Sequence, residues 1–160
     1  MVFGRDGKQM NASLSLALGA IAVLLAGCGD ADVVTAAYAT KAEAEADGAI
    51  ARGWIPAGVP PSTHEIREAH DVDTNRRWGL FNFAPADADV LRAMLQSTQS
   101  ATENLRCDIP GRIEWWPPML RGEMDRSRLK EAGLEVYRAA DGDLIVLVNW
   151  AQGRAYYWSG

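Results

Sequence analysis

The chain contains only two histidines, His64 and His70, and each lies near carboxylates in the sequence. A histidine that exchanges protons beside a carboxylate is a common catalytic pair, so either one is a candidate for hydrolytic chemistry. A zinc site is disfavoured, because on a strand the two histidines would lie ~20 Å apart at ~3.3 Å per residue. On a helix, Glu68 becomes a neighbour of His64 while His70 points elsewhere. We therefore predict no metal site.

The segment from Asp71 to Asn75 places oxygen-bearing side chains at alternate positions, as a calcium loop does. An EF-hand needs glycine at its sixth position and glutamate at its twelfth, where this chain has Arg76 and Asn82. Short polar side chains of this kind also cap turns, which is the interpretation we favour. No Gly-x-Ser-x-Gly elbow and no glycine-rich phosphate loop occurs, so we predict no cofactor and favour a binding protein over an enzyme.

Six tryptophans follow the first fifty residues, and aromatic faces suit the binding of glycans or peptides. Core packing explains most tryptophans in a domain of this size. Trp115 and Trp116 are adjacent, however, so we expect one of them to be at least partly exposed. The loop from Glu114 to Pro118 is therefore the predicted contact surface.

The run from Ala12 to Cys28 has the organisation of a secretory signal. Arg5 and Lys8 provide the positive lead, and Leu14–Leu25 is almost wholly apolar or small. This apolar part is shorter than the ~20 residues that a bilayer-spanning helix needs. The alternatives are a single membrane-anchoring helix followed by a coincidental cysteine, or a buried helix.

The segment closes on Leu25-Ala26-Gly27-Cys28, which resembles the lipobox of bacterial lipoproteins. The resemblance implies that Cys28 becomes the first mature residue and carries the lipid, with acyl chains such as palmitate holding the protein to a membrane. It divides the chain into a signal peptide (1–27), a tether (28–34) and one domain (35–160). The protein would face the periplasm, and Gly29, in place of the aspartate typical of inner-membrane retention in enteric bacteria, favours the outer membrane.

The charge of the mature part limits its partners. The leader holds Arg5, Lys8 and Asp6, so residues 28–160 carry 14 basic and 20 acidic side chains. An acidic domain argues against nucleic acid and against docking on anionic lipid. Cys107 has no partner if Cys28 is lipidated, so we predict a small buried side chain there rather than a reactive thiol.

The pattern of the first half predicts a strand from Val33 to Ala39 and a helix over 41–52, capped by Thr40 and Glu43. A proline-stiffened segment follows, and the pattern from Ile66 to Phe83 indicates a hairpin. A short helix over 62–69 is the competing interpretation, because Ser62 and Glu65 also have capping-box spacing. A second helix begins near Asp87 or Asp89, followed by a loop over 96–104.

The second half predicts a short helix over 127–132 and then three strands, 134–139, 144–150 and 154–159, separated by two turn signals. The unbroken apolar run from Leu144 to Val148 suits a central strand covered on both faces. The predicted fold class is α+β: a small antiparallel sheet that ends in a three-stranded meander, with two or three short helices.

The segment from Gly53-Trp54-Ile55-Pro56 to Pro60-Pro61-Ser62, followed by Asp71–Asn75 and by Phe81 and Phe83, resembles a pattern of small uncharacterised bacterial lipoproteins. That resemblance implies no known activity. We expect a lipid-anchored, non-catalytic interaction module whose partner is an envelope protein or the cell wall. The alternatives are an envelope hydrolase that uses His70 or His64 with a nearby carboxylate, and a ligand-binding accessory lipoprotein.

The lipid anchor is testable by metabolic labelling with a radioactive fatty acid. The wild-type protein should take up the label, and Cys28→Ala should lose it because the acceptor thiol is gone. Cys107→Ala serves as the matched control and should be labelled as strongly as the wild type. Label that persists in Cys28→Ala would contradict the anchor.

Overall fold

The computed structural model describes residues 32–97, 105–140 and 144–159. In these ranges nine strands form two antiparallel sheets, one of seven strands and one of two. The strands are β1 Val33–Thr40, β2 His64–Asp71, β3 Arg77–Asn82, β4 Leu95–Ser97, β5 Leu105–Cys107, β6 Gly122–Met124, β7 Glu135–Ala139, β8 Leu144–Asn149 and β9 Arg154–Ser159. The large sheet has the order β1-β2-β3-β9-β8-β7-β4, and β5 pairs with β6.

The predicted α+β class with a small sheet is wrong, because the structure is dominated by β-sheet. The three α-helices of the described residues, α1 Lys41–Ala46, α2 Ala88–Ala93 and α3 Arg126–Glu131, have six residues each. Short 3₁₀ turns at Pro85–Asp87 and Pro118–Leu120 add little. Residues expected to form a longer helix or a loop are instead taken up by turns and by the short strand β4.

Helix α1 ends well before the predicted residue 52, and Gly48 is the reason. Thr40 caps its start by accepting a hydrogen bond from the Glu43 N–H. Gly48 has a φ of 81°, and the N–H groups of Gly48 and Ala49 donate back to the carbonyls of Glu45 and Ala44. This pair of bonds closes a helix, and the left-handed residue it requires favours glycine. Gly53, which follows the predicted end at residue 52, instead closes the next turn with a φ of 78°.

The predicted hairpin is present as β2 and β3, and the competing helix over 62–69 is wrong. Glu65 has a φ of 49°, at the point where the pairing register of β2 shifts. At the tip, Asp71 Oδ1 accepts hydrogen bonds from the N–H groups of Asp73 and Thr74, both at 2.9 Å. These bonds, led by the one from Thr74, lower the pKa of the Asp71 carboxyl. The segment is thus a capped turn.

The last three strands form the predicted meander, since β7 pairs with β8 and β8 with β9. The central position in the sheet belongs to β9, with β8 beside it. Of the two predicted turns, Gln152-Gly153 is observed with Gly153 at a φ of 62°, and Asp141-Gly142 lies outside the described residues. Both faces of β9 are covered, so its aromatic residues Tyr156, Tyr157 and Trp158 are all buried.

Each face of the large sheet has its own hydrophobic core. One face packs Trp78, Leu147 and Trp158 against buried side chains of the segment 105–134. The other packs Phe81, Val146 and Tyr157 against α1, α2 and the turns of 47–59. Successive residues of a strand point to opposite faces, so the register of each strand decides which core it joins.

Gly79 creates the space that one of these aromatic rings occupies. It pairs with Tyr157 across β3 and β9, and a Cβ built at Gly79 would lie 2.2 Å from Tyr157 Cζ. The ring therefore lies across the glycine and extends toward β2. The Tyr157 hydroxyl donates to the carbonyl of Trp54 at 2.9 Å, which ties the sheet to the covering turns.

Gly79→Ala should lower the free energy of unfolding by about 1–3 kcal/mol, because the new methyl group overlaps a ring that cannot move aside. Urea denaturation followed by circular dichroism measures this change. Gly58→Ala is the matched control, since its Cβ would lie 3.0 Å from the Met94 Cβ and Sδ atoms, a far looser contact than 2.2 Å from a buried ring. Equal losses in the two variants would contradict this account.

Candidate functional site

The two faces of β2 separate two sets of chemically interesting side chains. Arg67 lies in one row across the sheet with Ala37 of β1, Leu80 of β3 and Tyr156 of β9. Glu68 and His70 point to the opposite face, together with Tyr157. We call the first the groove face and the second the histidine face.

The groove face carries an open cavity of about 600 Å³. Its floor is formed by the row of Ala37, Arg67, Leu80 and Tyr156, and its wall by Trp115 and Pro117. Because the Ala37 side chain is small, it does not fill the groove along the edge strand β1. The half-buried indole of Trp115 and the edge of Tyr156 offer apolar surface to a ligand, beside the exposed cation of Arg67.

The predicted contact surface of Trp115 and Trp116 divides between the core and this wall. Trp116 is 1% exposed and donates from Nε1 to the Leu120 carbonyl at 3.0 Å. Its ring packs edge-on against the Trp158 ring, with 6.2 Å between the ring centroids. Trp115 packs against Trp116 at 5.9 Å and remains half-buried at the groove. Of the pair, Trp115 alone is placed to contact a partner.

The charges of the groove are unevenly paired. Arg154 donates from Nε to Asn82 Oδ1 at 2.7 Å, and the Asn82 amide donates to Glu65 in turn. This chain fixes Arg154 at one end of the groove. The Arg67 side chain is exposed and makes no hydrogen bond or ion pair within the part of the chain that the structure describes. A free cation therefore lies between the aromatic wall and the sheet edge.

The histidine face holds a stack that runs from the exposed Arg52 through the half-buried Trp54 to the buried His70 and Glu68. His70 Nδ1 lies 3.0 Å from Glu68 Oε2, and the Glu68 side chain is fully buried. The ring of Trp54 stacks on the His70 imidazole with centroids 3.5 Å apart and 13° between planes. The guanidinium of Arg52 lies 4.0 Å above the indole. The turns after α1 thus cover His70 with the Trp54 ring, and they place the Arg52 cation on the outer side of that ring.

Burial governs the electrostatics of this stack. Desolvation raises the pKa of the Glu68 carboxyl, and the hydrogen bond with His70 only partly opposes it. Glu68 Oε1 is buried without a hydrogen-bond partner among the described residues. Desolvation and a hydrogen bond to Asp47 raise the pKa of Tyr38 to about 12, and burial raises the pKa of Tyr157 well above its ordinary value. These hydroxyls stay protonated at neutral pH.

The histidine pair has the composition of a catalytic pair but is closed to substrates in this conformation. His70 is 3% exposed and lines none of four prominent cavities among the described residues. A substrate would have to displace Trp54 to reach it. His64 is exposed, and its Nδ1 lies 3.0 Å from the Ser62 carbonyl. Within residues 32–97, 105–140 and 144–159, no group of three potential ligands is placed to hold a metal ion.

The two cysteines differ in what the structure says of them. Cys28, the predicted lipid attachment site, lies outside the described residues. Cys107 is buried, and desolvation raises the pKa of its thiol far above the ordinary value, which makes it an inert core side chain. No helix of the described ranges is long and apolar enough to cross a membrane.

Sequence reasoning missed how Trp54 and Tyr157 enclose the Glu68–His70 pair. Trp54 belongs to the proline-stiffened segment, and nothing in the sequence links it to a histidine sixteen positions away. The alternation of Ile66, Glu68 and His70 was the available signal, because it places two titratable groups on the same face as an apolar residue. An apolar face that includes such groups indicates a buried polar pair.

Comparison with protein families gives a match for the first part of the domain. A family model described as the YbbD head domain matches residues 32–82, about a third of the chain. The matched part contains β1, α1, the covering turns, β2 and β3, and with them the whole Arg52–Trp54–His70–Glu68 stack. The match suggests a bacterial envelope-associated protein. Neither the curated proteins nor the solved structures gave a match.

The buried carboxyl predicts a specific dependence of stability on pH. Because the pKa of Glu68 is raised in the folded state, the folded protein holds this proton more tightly than the unfolded chain does. The contribution of the Glu68 proton to the free energy of unfolding is complete below the ordinary glutamate pKa. It is lost as the pH rises through the raised pKa of the folded state. Glu68→Gln should remove this loss and leave the protein more stable than the wild type at neutral pH.

Urea unfolding between pH 4 and pH 8 measures the effect. The exposed Glu131 of α3 provides the matched control, and Glu131→Gln should keep the wild-type slope. Asp71 and Asp108 have lowered pKa values and therefore act at lower pH, outside this window. Parallel profiles for Glu68→Gln and the wild type would show that the carboxyl does not titrate in this range.

Proposed function

We propose that this chain is a lipid-anchored protein of the bacterial cell envelope that binds another envelope component without catalysis. The groove walled by Trp115 is the observation that carries this proposal. There a half-buried tryptophan, a second aromatic ring and a cationic side chain without a partner among the described residues share an open cavity. Tryptophan, tyrosine and arginine are the residues that dominate binding energy in protein interfaces.

Two further observations support the location. The charged lead, short apolar stretch and Leu25–Cys28 finish favour export and lipidation at Cys28. The match to the YbbD head domain is consistent with an envelope protein. The proposal places the folded domain on the periplasmic side, with the outer membrane favoured through Gly29, and takes an envelope protein or the cell wall as the partner.

A non-catalytic role fits the histidine face better than hydrolysis does. The buried Glu68–His70 pair lies under Trp54, and the exposed His64 ring is hydrogen-bonded to the backbone of Ser62, just before β2. An accessory protein for a small ligand would require an enclosed cavity, whereas several residues that line the groove are exposed. An open groove is more typical of contact with a macromolecule.

The role of Trp115 is tested by chemical crosslinking in intact cells. Trp115→Ala should lower the yield of the crosslinked partner at least tenfold, because an interface tryptophan typically contributes ~2 kcal/mol or more. Trp115→Phe should retain most of the yield. Val90→Ala is the matched control, since Val90 is also an exposed apolar side chain but lies on α2, against the opposite face.

Thermal unfolding of each variant separates loss of contact from loss of fold, because Trp115 also packs against Trp116. Unchanged crosslinking of a folded Trp115→Ala protein would overturn the proposal. A loss of equal size in Val90→Ala would do the same, since it would show no preference for the groove.

A further inference from the structure

The edge strand β1 presents unpaired backbone groups beside the groove. The Val72 N–H donates to the Asp32 carbonyl at 3.1 Å, and the Asp71 N–H donates across to Arg76 at 2.8 Å. In an antiparallel pair, alternate residues point their backbone groups toward the partner strand. Even-numbered residues of β1 therefore bond to β2, and odd-numbered residues direct their N–H and C=O groups away from the sheet.

Two of these outward residues have backbone groups without a hydrogen-bond partner among the described residues, whereas the outward residues on either side of them are hydrogen-bonded. The Ala39 N–H donates to Glu43 Oε2 at 2.8 Å, and the Val33 carbonyl accepts from Arg112 Nη1 at 3.4 Å. Between them, the N–H and C=O groups of Thr35 and Ala37 have no partner among the described residues. The edge thus offers a short, defined window of four hydrogen-bonding groups.

This edge lacks the usual protection against pairing. Exposed edge strands are commonly short or carry lysine, proline or an inward charge. β1 is eight residues long, and its sequence VVTAAYAT contains neither a charge nor a proline. The opposite edge, β4, is only three residues long. An open edge of this length is suited to the addition of a strand from a partner.

We propose that the window at Thr35 and Ala37 binds an extended peptide segment that carries a carboxylate, which Arg67 recognises. This inference rests on the proposed function and names the class of its partner. A residue placed beside Ala37 would direct its side chain to the groove face, two strand spacings or about 10 Å from Arg67. An arginine and a glutamate side chain together span that distance, and the Ala37 methyl leaves the path between them open. Other side chains of the segment would reach Trp115.

Charge complementarity distinguishes this occupant from a second copy of the chain. A second β1 would bring Thr35, Ala37 and Ala39 to the groove face, and none of these carries a charge. The free cation of Arg67 would then stay unmatched. An acidic segment satisfies both the backbone window and the cation.

The experiment selects displayed twelve-residue peptides on the full chain purified in mild detergent. The enriched peptides should alternate in polarity and share one acidic position. Each is then synthesised with and without N-methyl groups on alternate amides, and binding is measured by fluorescence polarisation. N-methylation on the pairing side should weaken binding at least ~10-fold, because it removes donors and blocks approach. This change leaves the protein untouched.

Two protein variants complete the test. Ala37→Pro should weaken binding by a similar factor, because proline removes the N–H that would pair with the peptide. The β1–β2 ladder should survive, since this N–H points away from the sheet. Thr35→Val keeps the backbone donor and is the matched control. Arg67→Glu should reverse the preference, so that peptides with lysine at the acidic position bind better than the originals.

Several results would overturn the inference: no enriched peptide, indifference to N-methylation, or no reversal with Arg67→Glu. Sedimentation that shows a dimer lost in Ala37→Pro would do so as well, because the edge would then be occupied by a second copy. Loss of the cellular crosslink in Trp115→Ala, together with unaffected peptide binding in Ala37→Pro, would leave the proposed function standing and refute this mode of binding.

Discussion

The register of β2 between β1 and β3 is the constraint on which both faces of the molecule depend. The pairing of Arg67 with Ala37 and Leu80 places the Arg67 side chain in the row that forms the groove floor. Glu68 and His70 then point into the other core, beneath Trp54. A slip of one residue would exchange the two sets and bury Arg67 without a partner. The shift near Glu65 is tolerated because it lies before this stretch.

The two faces have different physical characters. The histidine face is closed, with a buried carboxyl, a stacked imidazole and two hydroxyls whose pKa values are raised by burial. A carboxyl buried in this way is expensive to desolvate in its charged form. The groove face is open and carries its aromatic and cationic groups at the edge of the sheet. We therefore place the proposed function on the groove face, which solvent and partners can reach. The Glu68–His70 pair is part of the core on the other face.

Some features of the fold follow from local patterns. The β2–β3 hairpin, the terminal meander and the start of α1 were predicted because turn chemistry, alternation and a capping pair act within a few residues. The predicted balance of helix and sheet was wrong, because α1 is six residues long instead of twelve and the sheet is larger than expected. Gly48 and Gly53 are equally good local stop signals, and only packing against the sheet selects the first as the end of α1. β4, β5 and β6 are three-residue strands, too short to leave a period in the sequence.

The sequence by itself determined the apolar leader with its Cys28 finish, the acidic charge of the mature part and the presence of one exposed tryptophan in the pair at 115 and 116. The tertiary structure decided that Trp115 rather than Trp116 reaches the groove, that His70 is covered by Trp54, and that β1 forms an open edge. These last features depend on strand pairs and ring contacts between segments far apart in the chain. Such pairings are chosen by burial and register over the whole sheet, which no local pattern specifies.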